Sequence, residues 1–304
     1  MIQRGTQAYK NNIRDLWKSC YPDWDKNDMD YYYAHEFEPE QSLVVIDDSR
    51  IVATISRVKK EMMFNGRVIR TSFLQSLAAL PAYQGMGYEA QLMDVVSDEI
   101  SHTELLTLAR ANEEAFYRAY GFETLYYRKK VTITRDDLSR LSNEGIVIDP
   151  PVDDMLNLYA RFSHRFNGFM IRDRAYYENL KMAVGDRRGK IVDYYDDQGL
   201  IEAYSILVPK GKELDVEEVI YMDSKSLYKM LNVALQQRQI VHVHVGSEEQ
   251  LEVLLPQAKV EKYGYIMVRL NNLELFNRLF QSDVTGVGEL AQLSDKPLYM
   301  NENR

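Results

Sequence analysis

Short apolar runs alternate with amphipathic stretches along this chain, and their spacing predicts the elements in order. Residues 1–39 are aromatic-rich and irregular to helical. Residues 43–46 and 51–58 flank Asp47-Asp48-Ser49-Arg50 and read as a hairpin. Asn65-Gly66 joins residues 61–64 to 67–70, a strong signal because both turn residues need positive φ. Residues 71–80 read as a buried strand that Pro81 stops. A glycine loop follows, and then Tyr88, Leu92, Val95 and Val96 recur on one face of a helix over 88–101. A strand at 105–109, a helix at 112–119 and strands near 122–134 complete one α/β unit.

Residues 135–151 are charged, end in Pro150-Pro151 and read as a linker. The same order of elements then repeats. Helices are predicted at 152–165 and 173–184, and a hairpin joins 191–195 to 200–208 around Asp197-Gln198-Gly199. Strand 216–222, helix 224–238, strand 240–245, helix 247–255 and strand 263–270 follow. Where the first unit has its glycine loop, the second has Met222-Asp223-Ser224-Lys225-Ser226, with no glycine. The second unit therefore reads as a degenerate copy. The expected division is 1–138, 139–272 and a tail of 273–304 too short for a third globular domain.

A chain of 304 residues has room for about two domains. Lys and Arg number 37 against 46 Asp and Glu, a net charge of −9, which argues against a general nucleic-acid or anionic-membrane binder. Cys20 is the only cysteine, so no internal disulfide is possible. The N-terminus shows no apolar signal segment, and no run of eighteen apolar residues occurs. A cytoplasmic location and no membrane partner are the expectations.

The strand-loop-helix at 77–90 carries the chemistry. Gly85 and Gly87 let the backbone turn sharply, and free N–H groups of the first helical turn point outward at the positive end of the helix dipole. Such a junction is an anion site. It is not a P-loop, since no Gly-Lys-Ser/Thr follows, and it lacks the third glycine of the dinucleotide fingerprint. One βα unit later, Asn112 is placed as an N-cap and Gly121 as a helix C-terminal glycine before Phe122.

Pro81, Tyr83, Gln84-x-x-Gly87 and Leu92-Met93 together resemble the acyl-CoA pyrophosphate loop of the GNAT superfamily of N-acetyltransferases, Q/R-x-x-G-x-G/A. Glu89 departs from the small residue usual at the last position, and its carboxylate has to point away from a bound pyrophosphate. Asn112, Ala115, Tyr117, Gly121 and Phe122 resemble a second block of the superfamily. Up to about residue 280 the chain is similar to the enhanced-intracellular-survival (Eis-like) acetyltransferases. Arg172-Asp173-Arg174-Ala175-Tyr176-Tyr177 and Tyr265 to Leu270 add to that likeness. The resemblance implies tandem GNAT folds with mixed, mostly antiparallel sheets flanked by helices. The first fold would be active and the second degenerate, and the tail would be a remnant of a sterol-carrier-like domain.

It also implies acetyl transfer from acetyl-CoA to an amine of a small cationic molecule (aminoglycoside-, polyamine- or lysine-like), and a homo-oligomer, hexamer or trimer. In the reaction so implied, the amine attacks the thioester directly. Gln84, Gly85, Met86, Gly87, Tyr88, Glu89 and Ala90 would hold the phosphates, with Asn112 and Glu113 also in the cofactor set. The backbone of Leu77, Ala78 and Ala79 would hold the thioester, and Tyr117 would protonate the leaving thiolate. An alkyl ammonium, pKa about 10.4, must first lose a proton. The family's base is the C-terminal carboxylate. Here the carboxylate of Arg304 is not expected to reach, and Glu36, Glu38 or a held water are alternatives. Two other functions stay open: a non-catalytic acyl-CoA-binding or structural protein, and a tandem-domain aminoacyl transferase using charged tRNA.

Other patterns are read as structural. His242 and His244 share one strand face, expected to be exposed, and no further ligands complete a metal site. Asp23-x-Asp25-x-Asn27 fails as a calcium loop, having Asp28 where Gly and Ala34 where Glu are needed. Arg128-Lys129-Lys130 reads as a solvated strand edge, with contact to the 3′-phosphate of CoA as the alternative. Tyr31-Tyr32-Tyr33 reads as core packing or a helix face, with an amine pocket lined by cation–π contact as the alternative.

Overall fold

The structure, a computed structural model, describes residues 1–302. The first part of the chain runs β1 (Ile2–Arg4), α1 (Lys10–Cys20), α2 (Lys26–Tyr31), β2 (Ser42–Asp47), β3 (Arg50–Phe64), β4 (Arg67–Ala79), α3 (Tyr88–Thr103), β5 (Leu106–Arg110), α4 (Glu114–Arg118) and β6 (Phe122–Thr134). Then follow β7 (Ile146–Ile148), α5 (Val152–Ser163), β8 (Phe169–Met170), α6 (Arg174–Asp186), β9 (Lys190–Tyr195), β10 (Ile201–Lys210) and β11 (Glu213–Tyr221). The last elements are α7 (Ser224–Gln237), β12 (Ile240–Gly246), α8 (Leu251–Leu254), β13 (Lys259–Leu270) and α9 (Leu273–Phe280). Two compact units result. One holds Met1–Leu125 with Tyr265–Asp295, and the other Tyr126–Gly264 with the described residues from Lys296 on. The boundaries fall inside β6 and β13.

In the first unit the strand order is β1-β2-β3-β4-β5-β13. Every pair is antiparallel except β4 with β5. Both hairpin signals hold. Asp48 and Ser49 have φ of 42° and 63°, and Asn65 and Gly66 have 45° and 74°, the positive values that match the right-handed twist of the flanking strands. Helix α1 buries Ile13, Leu16 and Trp17, the i, i+3, i+4 face. Helix α2 begins at Asp25, whose carboxylate accepts from the N–H groups of Asn27 and Asp28, so this acidic stretch caps a helix. Helix α3 lays Leu92, Met93, Val96 and Ile100 on a core shared with Leu74, Ala109 and Phe122. Tyr31 and Tyr32 are buried, as expected. In the tail, Phe276 is fully buried against Phe64.

In the second unit the order is β6-β12-β11-β10-β9-β7, again with one parallel pair, β11 with β12. The stretch expected to be a linker contains β7, which pairs with β9, because Ile146 and Ile148 alternate like any strand. The helix expected at 247–255 shrinks to α8. Its N-terminus follows a turn in which Glu249 is spent on the Gly246 N–H. A buried ion pair crosses this unit. Arg172 donates to both Glu218 oxygens at 2.9 and 2.8 Å, and Tyr204 and Asn301 also donate to Glu218. The Arg172 block is therefore core structure: Asp173 caps α6 and Tyr177 is fully buried.

Candidate functional site

Strands β4 and β5 run side by side from Thr71↔Leu106 to Leu74↔Ala109, where their pairing ends. Just beyond, Ser76 takes φ 54° and the register of β4 against β3 shifts between Thr54 and Ser56, which is a bulge. Beyond the bulge β4 still pairs with β3, with the Leu80 N–H on the Val52 carbonyl. The peptide groups of Leu77 and Ala79 therefore face the side that β5 has left. Side chains meet them there. The Tyr21 hydroxyl donates to the Leu77 carbonyl at 2.8 Å. The Cys20 thiol and the Gln84 amide donate to the Ala79 carbonyl at 3.2 and 3.3 Å. The Ala79 N–H faces the carboxylate of Glu89.

The strand then enters a short turn at Pro81–Tyr83 and the loop. Gly85 and Gly87 have φ of 75° and 82°. Gly87 is the N-cap of α3, left-handed and without a side-chain cap. A β-carbon at either glycine would meet nothing within 4 Å. Glycine is needed there for backbone conformation, and the open space in front of the loop stays free. Met86 stands exposed at its tip. Tyr88 is held aside by a bond to Asp47 at 3.0 Å, which with burial raises its phenol pKa. The Ala90 carbonyl accepts from Tyr120 at 3.4 Å.

Helix α4 starts later than expected. Its N-cap is Glu113, with φ −129° and no side-chain bond, so Asn112 lies in the preceding turn and caps nothing. Gly121 is left-handed at φ 80°, as its position after the helix demands. Tyr117 packs its ring edge-on against Phe116 and Phe122, at 5.6 and 5.5 Å between centroids. Burial, then Glu113, raise its phenol pKa, so it stays protonated. Tyr21 is raised in the same way by burial and then by Tyr117, Cys20, Glu113 and Glu89. Those groups therefore gather beside the edge of β4. Sequence reasoning missed Cys20 and Tyr21, which sit at the end of α1 and reach the site only through the packing of that helix. Glu36 and Glu38 are not among these groups, and Glu38 accepts from Gln41 at 2.5 Å. Arg304 lies outside the described residues.

The second unit repeats the parting of strands and fills it. Pairing of β11 with β12 ends at Val216↔Val243. There the Arg128 guanidinium donates to the carbonyls of Glu217 at 2.6 Å and His244 at 2.8 Å, bridging both strands. The Tyr126 hydroxyl lies where a β-carbon on Gly246 would fall, 2.7 Å away. Helix α7 has its positive end occupied: Asp223 accepts from the Ser226 N–H at 2.7 Å in a complete capping box. No anion cradle remains.

Arg128 is thus buried, and Lys129 is tied to Glu252, so this basic stretch is not the solvated edge expected. His242 and His244 are partly buried rather than exposed. His242 is bonded to Thr132 and Glu213, and His244 to Tyr263. Among the described residues no three His, Cys, Asp or Glu gather as a metal site, and no helix is long and apolar enough to cross a membrane. A groove of 600 Å³ lined by Arg57, Lys59, Lys60, Glu61, Arg70 and Glu104 lies by the other end of β4. It takes no part in this site.

Residues 1–125 match the model of the acetyltransferase (GNAT) domain. No curated protein matches the chain in sequence. Several solved structures share the fold. A conserved protein of Enterococcus faecalis V583, described as a probable N-acyltransferase, has a TM-score of 0.78 at 17% identity, over 91% of this chain and 73% of that one. A GCN5-related N-acetyltransferase from Anabaena variabilis ATCC 29413 has 0.73 at 16% identity, over 90% and 73%. Eis1 from Mycobacterium abscessus has 0.70 at 12% identity, over 90% and 75%. The glycine loop and strand edge of the first unit thus lie within the residues that match the acetyltransferase (GNAT) domain model, in a chain whose mixed α/β fold these solved structures share.

Proposed function

We propose that the first unit transfers an acetyl group from acetyl-CoA to a primary amine of a small cationic substrate, and that the second unit is a degenerate copy without a cofactor site. One contrast carries this reading. The positive end of α3 is left uncapped at Gly87 beside an open strand edge, while the corresponding places in the second unit are filled by Asp223 and Arg128. Unsatisfied N–H groups at a helix start favour an anion, and an edge of peptide groups favours an amide-bearing chain.

The residues present suit that co-substrate, which would supply an activated thioester. The N–H groups of the loop, from Gln84 to Ala90, would bind its phosphates. The peptide edge of Leu77, Ala78 and Ala79 would hold its pantetheine arm, with Tyr21, Gln84 and Cys20 giving way or adding bonds. Tyr117, a phenol kept protonated by its surroundings, would donate a proton to the departing sulfur. Glu113, beside Tyr117, adds a negative charge that favours a cationic amine.

Calorimetry with acetyl-CoA tests the reading. Micromolar binding by the wild type, lost in Gly87→Glu with the fold retained by circular dichroism, is the expected result. Release of free thiol across a panel of amines would then name the acceptor. No binding at millimolar acetyl-CoA would sink the proposal.

A further inference from the structure

Position 89 is where the loop departs from its pattern. Glu89 is the second residue of α3, half-buried, and its carboxylate is turned to the Ala79 N–H on the open edge of β4. A strand edge without a neighbouring strand needs partners for its peptide groups. Here the chain provides them: Tyr21 at the Leu77 carbonyl, Cys20 and Gln84 at the Ala79 carbonyl, and Glu89 at the Ala79 N–H. Three of these partners are neutral and one carries charge. The charged one stands at the start of the helix whose N-terminus is the anion cradle.

We propose that Glu89 is a specificity-determining residue of this cradle, an internal anion that competes with the acyl carrier for the Ala79 N–H and for the positive end of α3. The proposal rests on reading the cradle as an acyl-CoA site. A carrier bearing a diphosphate brings two negative charges to the start of the helix that bears this carboxylate, and its arm to the N–H that this carboxylate holds. Like charges a few ångströms apart repel by enough to change affinity more than about tenfold at the margin of a protein. Binding therefore requires Glu89 to be protonated or to turn away.

Among the described residues, the groups that face Glu89 offer it no counter-charge. They are Glu113 at the start of α4, and Tyr21 and Cys20 at the end of α1. Burial first, and then Glu113, push the Glu89 carboxyl up, and the Ala79 N–H offsets part of that rise. Protonation is thus easier than for a solvated glutamate, and affinity for the carrier is linked to pH.

Calorimetry with 3′-dephospho-CoA decides the matter, because this probe has no phosphate monoester that titrates near neutrality. Wild type, Glu89→Gln and Glu89→Ala are compared from pH 5 to pH 8, with melting temperatures as the control for folding. The expected result is a wild-type affinity that weakens at least fivefold as pH rises. Both variants should bind at least tenfold tighter than wild type at pH 8 and show a flat profile. Equal or weaker binding by the folded variants at pH 8 overturns the role of Glu89 and leaves the cradle standing. No binding by any of the three at millimolar probe overturns the cradle itself, and this proposal with it.

Discussion

The Tyr21 hydroxyl donates to the Leu77 carbonyl across 2.8 Å, tying the end of α1 to the open edge of β4. Tyr21→Phe removes this bond and keeps the ring packing against Trp24. A single neutral hydrogen bond contributes about 1 kcal/mol, so the melting temperature should fall by only about 2–4 °C. Because the bond lies on the edge assigned to the thioester arm, kcat/KM for acetyl-CoA should fall about tenfold. An unchanged kcat/KM would make Tyr21 a purely structural strut.

Tyr117→Phe keeps the aromatic contacts with Phe116 and Phe122 and removes only the phenol oxygen. General-acid help is worth roughly a hundredfold or more. Turnover, followed by thiol release, should drop by about that factor, while acetyl-CoA affinity in calorimetry stays within about twofold. A variant with full turnover would reduce Tyr117 to packing.

Gly87→Ala isolates backbone strain from crowding, since a β-carbon there has open space but φ stays at 82°. The left-handed conformation costs a non-glycine residue about 1–2 kcal/mol. Urea unfolding should show that loss. Acetyl-CoA affinity should weaken as the loop relaxes away from its N–H geometry.

The side chains of Arg172 and Glu218 are each 1% exposed, and breaking such a pair strands a buried charge. Burial alone would raise the Glu218 pKa, yet the Arg172 guanidinium outweighs it and keeps the carboxylate ionised. Arg172→Met should cost about 3–5 kcal/mol, and adding Glu218→Leu should recover much of it, because the stranded charge is then gone. Thermal melts of the single and double variants check this. A double variant no more stable than the single would contradict it.

Asp193 is a buried carboxyl beside Tyr195, whose hydroxyl donates to Asp154. Burial pushes its pKa up to about 6. The folded state therefore holds this proton more tightly than the unfolded state. The associated stability is present below the ordinary carboxylate pKa of about 3.9 and is lost as pH rises to about 6. Asp193→Asn should match wild type near pH 4 and exceed it above pH 6. The gain should be on the order of 1 kcal/mol after allowance for screening. Unfolding at several pH values reads the difference.

The backbone geometry of the loop and turns was legible in the sequence because its signals are local. Gly85 and Gly87 announce left-handed turns, Pro81 ends a strand, and Asn65-Gly66 makes a hairpin, each through backbone sterics that act within a few residues. Asp223 is a local signal that sequence reasoning did not use, an N-cap whose own carboxylate fills the helix start. Asn112 misled because it lies in the turn between β5 and α4, and the helix begins further on, at Glu114. His242, Arg128 and Lys129 misled because strand alternation shows which face a residue is on but not what covers that face.

The order of strands and helices, the repeat and the uncapped glycine loop were determined by the sequence alone, since propensity and turn chemistry depend on near neighbours. Tertiary structure decided which side chains meet at the loop. Tyr21 and Leu77 are 56 residues apart, and Arg128 lies 116 residues from His244. Only the packing of α1 on β4 and the pairing of β6 with β12 bring these groups within hydrogen-bonding distance. Contacts of that range arise from burying distant apolar faces together, and no pattern along a single chain encodes which polar groups will be carried into reach.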